Sequence, residues 1–309
     1  MITREKFLEP EIRDGVEVSA ELKATWKVML DILEVIMTIC KRHGLEWTLE
    51  GGSLLGAMRH KGFIPWDDDV DIVMPRRDYD KFIKYASKEL PSYYFCQNTA
   101  TARQYHCTHT TICDSRTAAI EPNHADGHKV FNMGIHIDVF ALDGMPRSLI
   151  ARKVVTFFVL WMRSAIPTWD YKRRRLTILG VINRAFWSVV RPLIGNVLIF
   201  WLRELPLRML PMCRYEWCGS AVAKNFWDPH SLRKTEWFNE YIQVPFEYLM
   251  VPVPKAYDKI LTQQFKEWRT PKKGYSHHAT LYLDYRESYM DVLIKRYGYR
   301  PEEFEQLEV

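Results

Sequence analysis

The stretch FIPWDDDVDIVMP, Phe63 to Pro75, sets Asp67, Asp68, Asp69 and Asp71 into five positions around the apolar residues Val70, Ile72 and Val73. Four like charges repel one another, so this density calls for a positive partner. Residues two apart on a strand face the same way, which predicts Asp69 and Asp71 on one face with their oxygens converging. Such a pair suits a hard divalent cation. Mg²⁺ (or Mn²⁺) is commonly held by one or two carboxylates and by substrate phosphates. Asp67 and Asp68 read equally well as a solvated turn. A second alternating run, GIHIDVFAL (134–142), puts Ile135, Ile137 and Val139 on one face and His136, Asp138 and Phe140 on the other. Asp138 could then complete a three-carboxylate site.

Upstream lies the other half of a phosphate chemistry. Gly52 lets an anion approach the backbone, and a helix beginning at Ser53 would present free N–H groups to it. A Gly-Ser turn alone explains little, because any tight turn could use it. Followed by one short helix and an Asp-x-Asp strand, it resembles the core layout of the nucleotidyltransferase fold.

The elements that must position these groups can be read from periodicity. Apolar residues from Leu22 to Cys40 recur at three- and four-residue steps, predicting a helix over 20–43 that Gly44 stops. LEWTLE (45–50) alternates as a strand. SLLGAMRH (53–60) reads as a helix capped by the Ser53 hydroxyl. Pro65 turns the chain into the acidic strand, and Pro75-Arg76-Arg77 opens a helix with Tyr79, Phe82, Ile83 and Ala86 inward. DGMP (143–146) reads as the turn closing the second strand. VPVPKAYDKIL (251–261) and LYLDYRESYMDVLIKRYG (281–298) read as a docking turn and a final helix. The chain has no internal repeat.

With 309 residues, 47% of them hydrophobic, the chain can bury a large core and is too apolar to be disordered. Its first ten residues, MITREKFLEP, are charged and do not read as a signal peptide. Six cysteines without a CxxC pair suggest reduced thiols in the cytoplasm. Cys96, His106, Cys107, His109, Cys113, His124 and His128 crowd one stretch but match no zinc spacing, so they read as polar loop residues.

GGSLLGAMRHKGFIPWDDDVDI (51–72) resembles the signature of the LicD family, the bacterial phosphocholine transferases, which are also similar to fukutin and fukutin-related protein. IDVFALDGMP (137–146) is similar to that family's second acidic strand, and VPVPKAYDKIL with Trp268, Pro271 and His277 to its C-terminal element. The resemblance implies an α+β fold, a nucleotidyltransferase-like mixed sheet flanked by helices. Residues 1–146 would be the catalytic core, 147–215 a helical insertion, and 216–309 the part completing the core. It implies Asp69, Asp71 and Asp138 as catalytic and metal-binding carboxylates. Gly52 and Ser53 would take donor phosphate, and Arg59, His60 and Lys61 match a basic triplet able to hold a diphosphate. The same triplet would also serve as a solvated helix end.

The implied activity is Mg²⁺-dependent transfer of a phospho-alcohol, such as phosphocholine or ribitol phosphate, from a CDP-activated donor to a glycan hydroxyl. Two other readings use the same residues differently. A nucleotidyltransferase adding NMP would release pyrophosphate instead of CMP. A catalytically silent membrane- or glycan-binding protein would keep the fold without needing the metal, and the intact carboxylates count against it.

The net charge of +5 is unevenly spread: Arg147 to Arg214 holds thirteen Lys or Arg against Asp170 and Glu204. Its apolar runs are interrupted by Arg184 and Arg191, which argues against a clean bilayer span. Tryptophans at 161, 169, 187 and 201 and the run Lys172–Arg175 suit helices lying on an anionic membrane surface. Nucleic acid is disfavoured, because few residues there are polar without being basic. The expectation is a cytoplasmic enzyme, peripheral on the inner face of the membrane, facing a lipid-linked glycan.

Overall fold

A computed structural model describes residues 3–102, 104–105, 107–165, 178–220, 232–271 and 281–304. His106, His277, Trp169 and the run Lys172–Arg175 lie outside the described residues. In chain order the strands and helices are β1 (Glu11–Arg13), β2 (Val16–Val18), α1 (Ala20–His43), β3 (Thr48–Leu49), α2 (Gly51–His60), β4 (Asp71–Pro75) and α3 (Arg76–Glu89). There follow β5 (Tyr94–Gln97), β6 (Thr110–Asp114), β7 (Ala118–Ile120), α4 (Pro122–Asp126), β8 (Ile135–Met145), α5 (Leu149–Arg163) and α6 (Ile178–Arg208). The rest are β9 (Trp217–Gly219), β10 (Arg233–Lys234), β11 (Tyr241–Phe246), β12 (Leu249–Pro254), α7 (Tyr257–Phe265), β13 (Tyr282–Asp284) and α8 (Tyr289–Tyr297).

The main sheet is mixed, and the fold is α+β. β8 is its spine: β4 pairs with it in parallel, while β6 and β9 pair with it antiparallel. β3 extends the β4 side, β5 lies outside β6, and β10 lies outside β9. Ile135, Ile137 and Val139 of β8 are fully buried, together with Ile72, Val73 and Met74 of β4. Trp26, Leu30, Leu33 and Ile36 of α1 and Tyr79 and Phe82 of α3 belong to the same core.

α1 follows its local signals closely. The Ser19 hydroxyl accepts from the Leu22 N–H at the start, and Gly44 ends the helix at φ +60°. Residues of the C-terminal third join the same core. Phe246, Val251 and Val253 of the β11–β12 hairpin are buried in it, as are Ile260 and Leu261 of α7. The Thr48 hydroxyl donates to the Pro252 carbonyl at 3.0 Å, tying β3 to β12.

Several local expectations are corrected. The strand expected over 45–50 is only Thr48–Leu49. Asp143-Gly144-Met145 is not a turn, because these residues pair with Gly219, Cys218 and Trp217 of β9 and prolong β8. The closing segment is a strand and a helix, β13 and α8, since Tyr282–Asp284 pairs with β7. Cys96 and Cys113 are not loop residues; they are buried on the paired strands β5 and β6.

Candidate active site

The parallel register of β4 against β8 places Asp71 beside Asp138. Neighbouring strands lie about 4.8 Å apart, so the two side chains rise from adjacent positions on the sheet's polar face. The Asp138 N–H donates to the Val70 carbonyl at 3.0 Å, which continues the ladder one residue ahead of β4. Asp69 precedes the strand proper, yet its charge acts on Asp71. Burial, followed by the charges of Asp69, Asp138, Glu50 and Asp67, holds the Asp71 carboxyl well above the ordinary carboxylate range.

Ser53 does not cap its helix. α2 begins at Gly51, the residue in the cap position is Glu50, and the Ser53 hydroxyl accepts from the Asp71 N–H at 2.9 Å. The first N–H of the acidic strand needs an acceptor, and Ser53 meets it across the gap between α2 and β4. The two glycines have a matching reason. A Cβ on Gly52 would stand 2.8 Å from the Asp67 carboxylate, and one on Gly51 would stand 3.6 Å from that of Asp71. Their bare faces admit these carboxylates to the N-terminal end of α2, where the helix dipole favours negative charge.

Arg59, His60 and Lys61 are not brought to this cluster. They sit at the far end of α2, roughly 10–14 Å along the helix from Gly52 at 1.5 Å per residue. Arg59 donates to the Trp268 carbonyl at 3.2 Å and to the His60 ring at 2.9 Å. The His60 side chain is buried against Asp14 at 3.1 Å. Burial, then the neighbouring Arg59, lowers its pKa to about 4, while Asp14 opposes the shift. Lys61 is the left-handed residue that closes the helix, at φ +57°.

Other residues come to the cluster that the spacing did not single out. The Asp138 carboxylate lies 3.2 Å from His109 Nε2 and 3.7 Å from His136 Nε2. His136 Nδ1 lies 3.0 Å from the Gly134 carbonyl, and the His109 ring leans on Phe140 at 4.6 Å between centroids. Thr111 faces Asp138 across β6. Glu50 is clamped by a two-pronged ion pair with the buried Arg233, and Gln264 donates to it at 3.3 Å. The alternation His109-x-Thr111-x-Cys113 carried a strand signal for part of this set. The β6–β8 pairing and the reach of Arg233 from 183 residues away carried none.

The donors here are hard oxygens with crowded negative charge, which fits a divalent cation of the magnesium type. Among the described residues, however, no three His, Cys, Asp or Glu side chains are gathered as a ready-made metal cage. Mg²⁺ needs no such cage when one or two carboxylates share it with substrate phosphates. Asp69 and Asp71 fit that smaller demand, and Asp138 stands beside them with a histidine at hydrogen-bonding distance.

Comparison with known proteins follows the same residues. The chain is 27% identical over 252 residues to the lipopolysaccharide cholinephosphotransferase LicD of Haemophilus influenzae, covering 78% of this chain and 88% of that protein. It is 41% identical over 46 residues to the ribitol 5-phosphate transferases FKRP of Mus musculus and Homo sapiens, covering 15% of this chain and 9% of each of those. Residues 44–140 match the family model described as LicD/FKTN/FKRP, nucleotidyltransferase domain. That span contains Gly52, Ser53, Asp69, Asp71 and Asp138, so the residues of the candidate site lie in the part of the chain that is similar to the LicD family.

Proposed function

We propose that this protein transfers a phospho-alcohol, phosphocholine or a similar group such as ribitol phosphate, from a CDP-activated donor to a hydroxyl of a cell-surface glycan. The single observation that carries the reading is the β4–β8 register, which stands Asp71 beside Asp138 within reach of the Asp69 charge. The likeness to two kinds of phospho-alcohol transferase supports it. In this reading the core has a nucleotidyltransferase-like fold, with the helical segment 147–215 inserted in it. The enzyme works at the cytoplasmic face of a membrane, where a lipid anchor would hold the acceptor.

Asp69 and Asp71 hold Mg²⁺ or Mn²⁺, which supplies positive charge to the donor diphosphate and to the departing CMP. The acceptor hydroxyl oxygen attacks the phosphorus that carries the alcohol. A new P–O bond forms, the P–O bond to CMP breaks, and CMP leaves with the bonding electrons. Asp138 takes the hydroxyl proton on a carboxylate oxygen, and His109 holds that carboxylate in place. Ser53 keeps Asp71 registered through the hydrogen bond to its backbone. The N-terminal end of α2, beside the carboxylates, would favour a donor phosphate once a cation offsets their charge. In this geometry Arg59, His60 and Lys61 act on the far end of α2, away from the reacting phosphorus.

The test is incubation of the full chain with Mg²⁺ and a panel of CDP-alcohols, followed by separation of CMP from pyrophosphate. Wild type should release CMP. Asp71→Asn should lose at least about a thousandfold in turnover while staying folded, since removing a buried like charge relieves repulsion. Asp138→Ala should lose turnover but keep most donor affinity. Pyrophosphate release would replace the reading with nucleotidyl transfer. Absence of both products across the panel would leave a binding protein, and near-wild-type turnover by Asp71→Asn would remove the mechanism.

A further inference from the structure

Sixteen of the twenty-two large apolar side chains exposed among the described residues lie between Leu149 and Met209, on α5, on α6 and just after it. They form stripes. Ile182, Phe186, Val189, Leu193 and Val197 step along α6 at three- and four-residue intervals, and Phe157 of α5 is 70% exposed. A soluble monomer rarely leaves so much contiguous apolar surface in water. The segment Leu179–Arg214 is long and apolar enough to cross a membrane, and only 17% of its apolar window is buried, so it is not a core helix.

What holds this segment favours lying along a surface over spanning. α6 is broken at Gly195, whose φ of +73° and ψ of 165° are not helical. The described part of the arm before the break, Ile178 to Ile194, is about 25 Å long and α5 about 22 Å, against a hydrocarbon core of ~30 Å. The arm after the break is locked to the protein. Arg203 and Glu204 are each 1% exposed, and Glu204 is paired with the buried Arg76 of α3. Arg203 also donates to the Thr99 hydroxyl and to the Thr108 carbonyl, and Arg208 makes a two-pronged pair with Asp80 of α3. Trp161 and Trp187, 5.2 Å apart between centroids, pack α5 against the first arm of α6.

We infer that α5 and the first arm of α6 form a rigid hairpin that lies in the plane of one leaflet and docks on anionic phospholipid. Charge decides the occupant. The connecting sequence carries Lys172–Arg175, and the segment as a whole has thirteen cationic residues against two anionic ones. Two copies face to face would bring like charges together, whereas an anionic headgroup layer complements them. This deepens the localisation proposed above, and it stands apart from the transfer chemistry.

The test is flotation of the full chain with phosphatidylcholine vesicles, with or without phosphatidylglycerol, and with brominated acyl chains. The wild type should float with the phosphatidylglycerol vesicles, lose part of its binding in high salt, and show tryptophan fluorescence quenched by the brominated chains. Val189→Glu with Leu193→Glu, at exposed positions that should not disturb folding, should lower partitioning at least tenfold with an unchanged circular dichroism spectrum. No flotation, or equal flotation with both lipid compositions, would overturn the inference. A dimer dissociated by the same two substitutions, with no flotation, would overturn it in favour of a second copy. CMP release in vesicle-free buffer reads the chemistry separately: flotation without CMP leaves the docking intact and removes the transferase.

Discussion

Asp71 lies among the charges of Asp69, Asp138, Glu50 and Asp67. It sits at the first position of β4, behind two glycines whose missing side chains admit Asp67 and Asp71 to the end of α2. Its backbone is held by Ser53 and its carboxyl is pushed up by burial and by four acidic neighbours. A site arranged this way costs stability unless a cation or a proton offsets it, and such displaced carboxyls cluster at functional positions. His60 is a different case at the other end of the same helix. Its ordinary value near 6.5 is lowered to about 4, with burial as the largest cause. The folded state therefore keeps His60 neutral where the unfolded chain takes up a proton. The His60 contribution to stability is fully present above about pH 6.5 and is lost as pH falls toward 4. Thermal melts of wild type and His60→Gln across that window should show a shallower fall in Tm for the variant; parallel curves would mean that His60 does not set the slope.

At the scale of elements, α2 owes its placement to close approach at its start and at its middle. The Ser53 end is tied to β4, and the middle is pressed on the following loop. A Cβ at Gly56 would come 2.4 Å from the Gly62 carbonyl oxygen and 3.3 Å from the Ile64 nitrogen. Both are backbone atoms, so neither can rotate aside. Gly56→Ala should therefore destabilise by about 1–3 kcal/mol despite the better helix propensity of alanine. A urea midpoint equal to or above wild type would show that the loop can yield. β8 shows how one element serves several roles. Its alternation buries Ile135, Ile137 and Val139 beneath His136, Asp138 and Phe140, and its continuation through Met145 carries Asp143 into the core.

At the scale of the whole molecule, the basic segment is joined to the core by buried charge. Arg76 donates to both oxygens of Asp143, at 2.6 and 2.8 Å, and pairs with Glu204 of α6. Three elements far apart in sequence thus meet at one guanidinium. Arg76→Ala would leave Asp143 and Glu204 buried without it, which should cost about 3–5 kcal/mol and loosen α6. Denaturation and limited proteolysis between α5 and β9 check both effects; a change within about 0.5 kcal/mol would show that the anions are met in another way. The linkage joins the second arm of α6 to the strand that carries Asp138.

Much of this was legible in the residues alone, because the signals are local. The periodicity of α1 with Gly44 at its end, the alternation of β8, and the Asp-x-Asp run depend on neighbours within a few positions, where backbone sterics and side-chain direction are set. The family likeness was legible for the same reason, since its signature is one contiguous run. What the chain does with Ser53, Asp143, Arg76 and Glu50 was not. A serine before a helix caps it by default, and an Asp-Gly-Met-Pro run reads as a turn, until a strand such as β4 or β9 arrives to use the same groups. The parallel pairing of β4 with β8, the approach of His109 to Asp138, and the clamp of Arg233 on Glu50 join residues tens to hundreds of positions apart. No spacing encodes them, because long-range contacts are chosen by the burial of whole faces, and only the packed fold decides which polar groups those faces leave together.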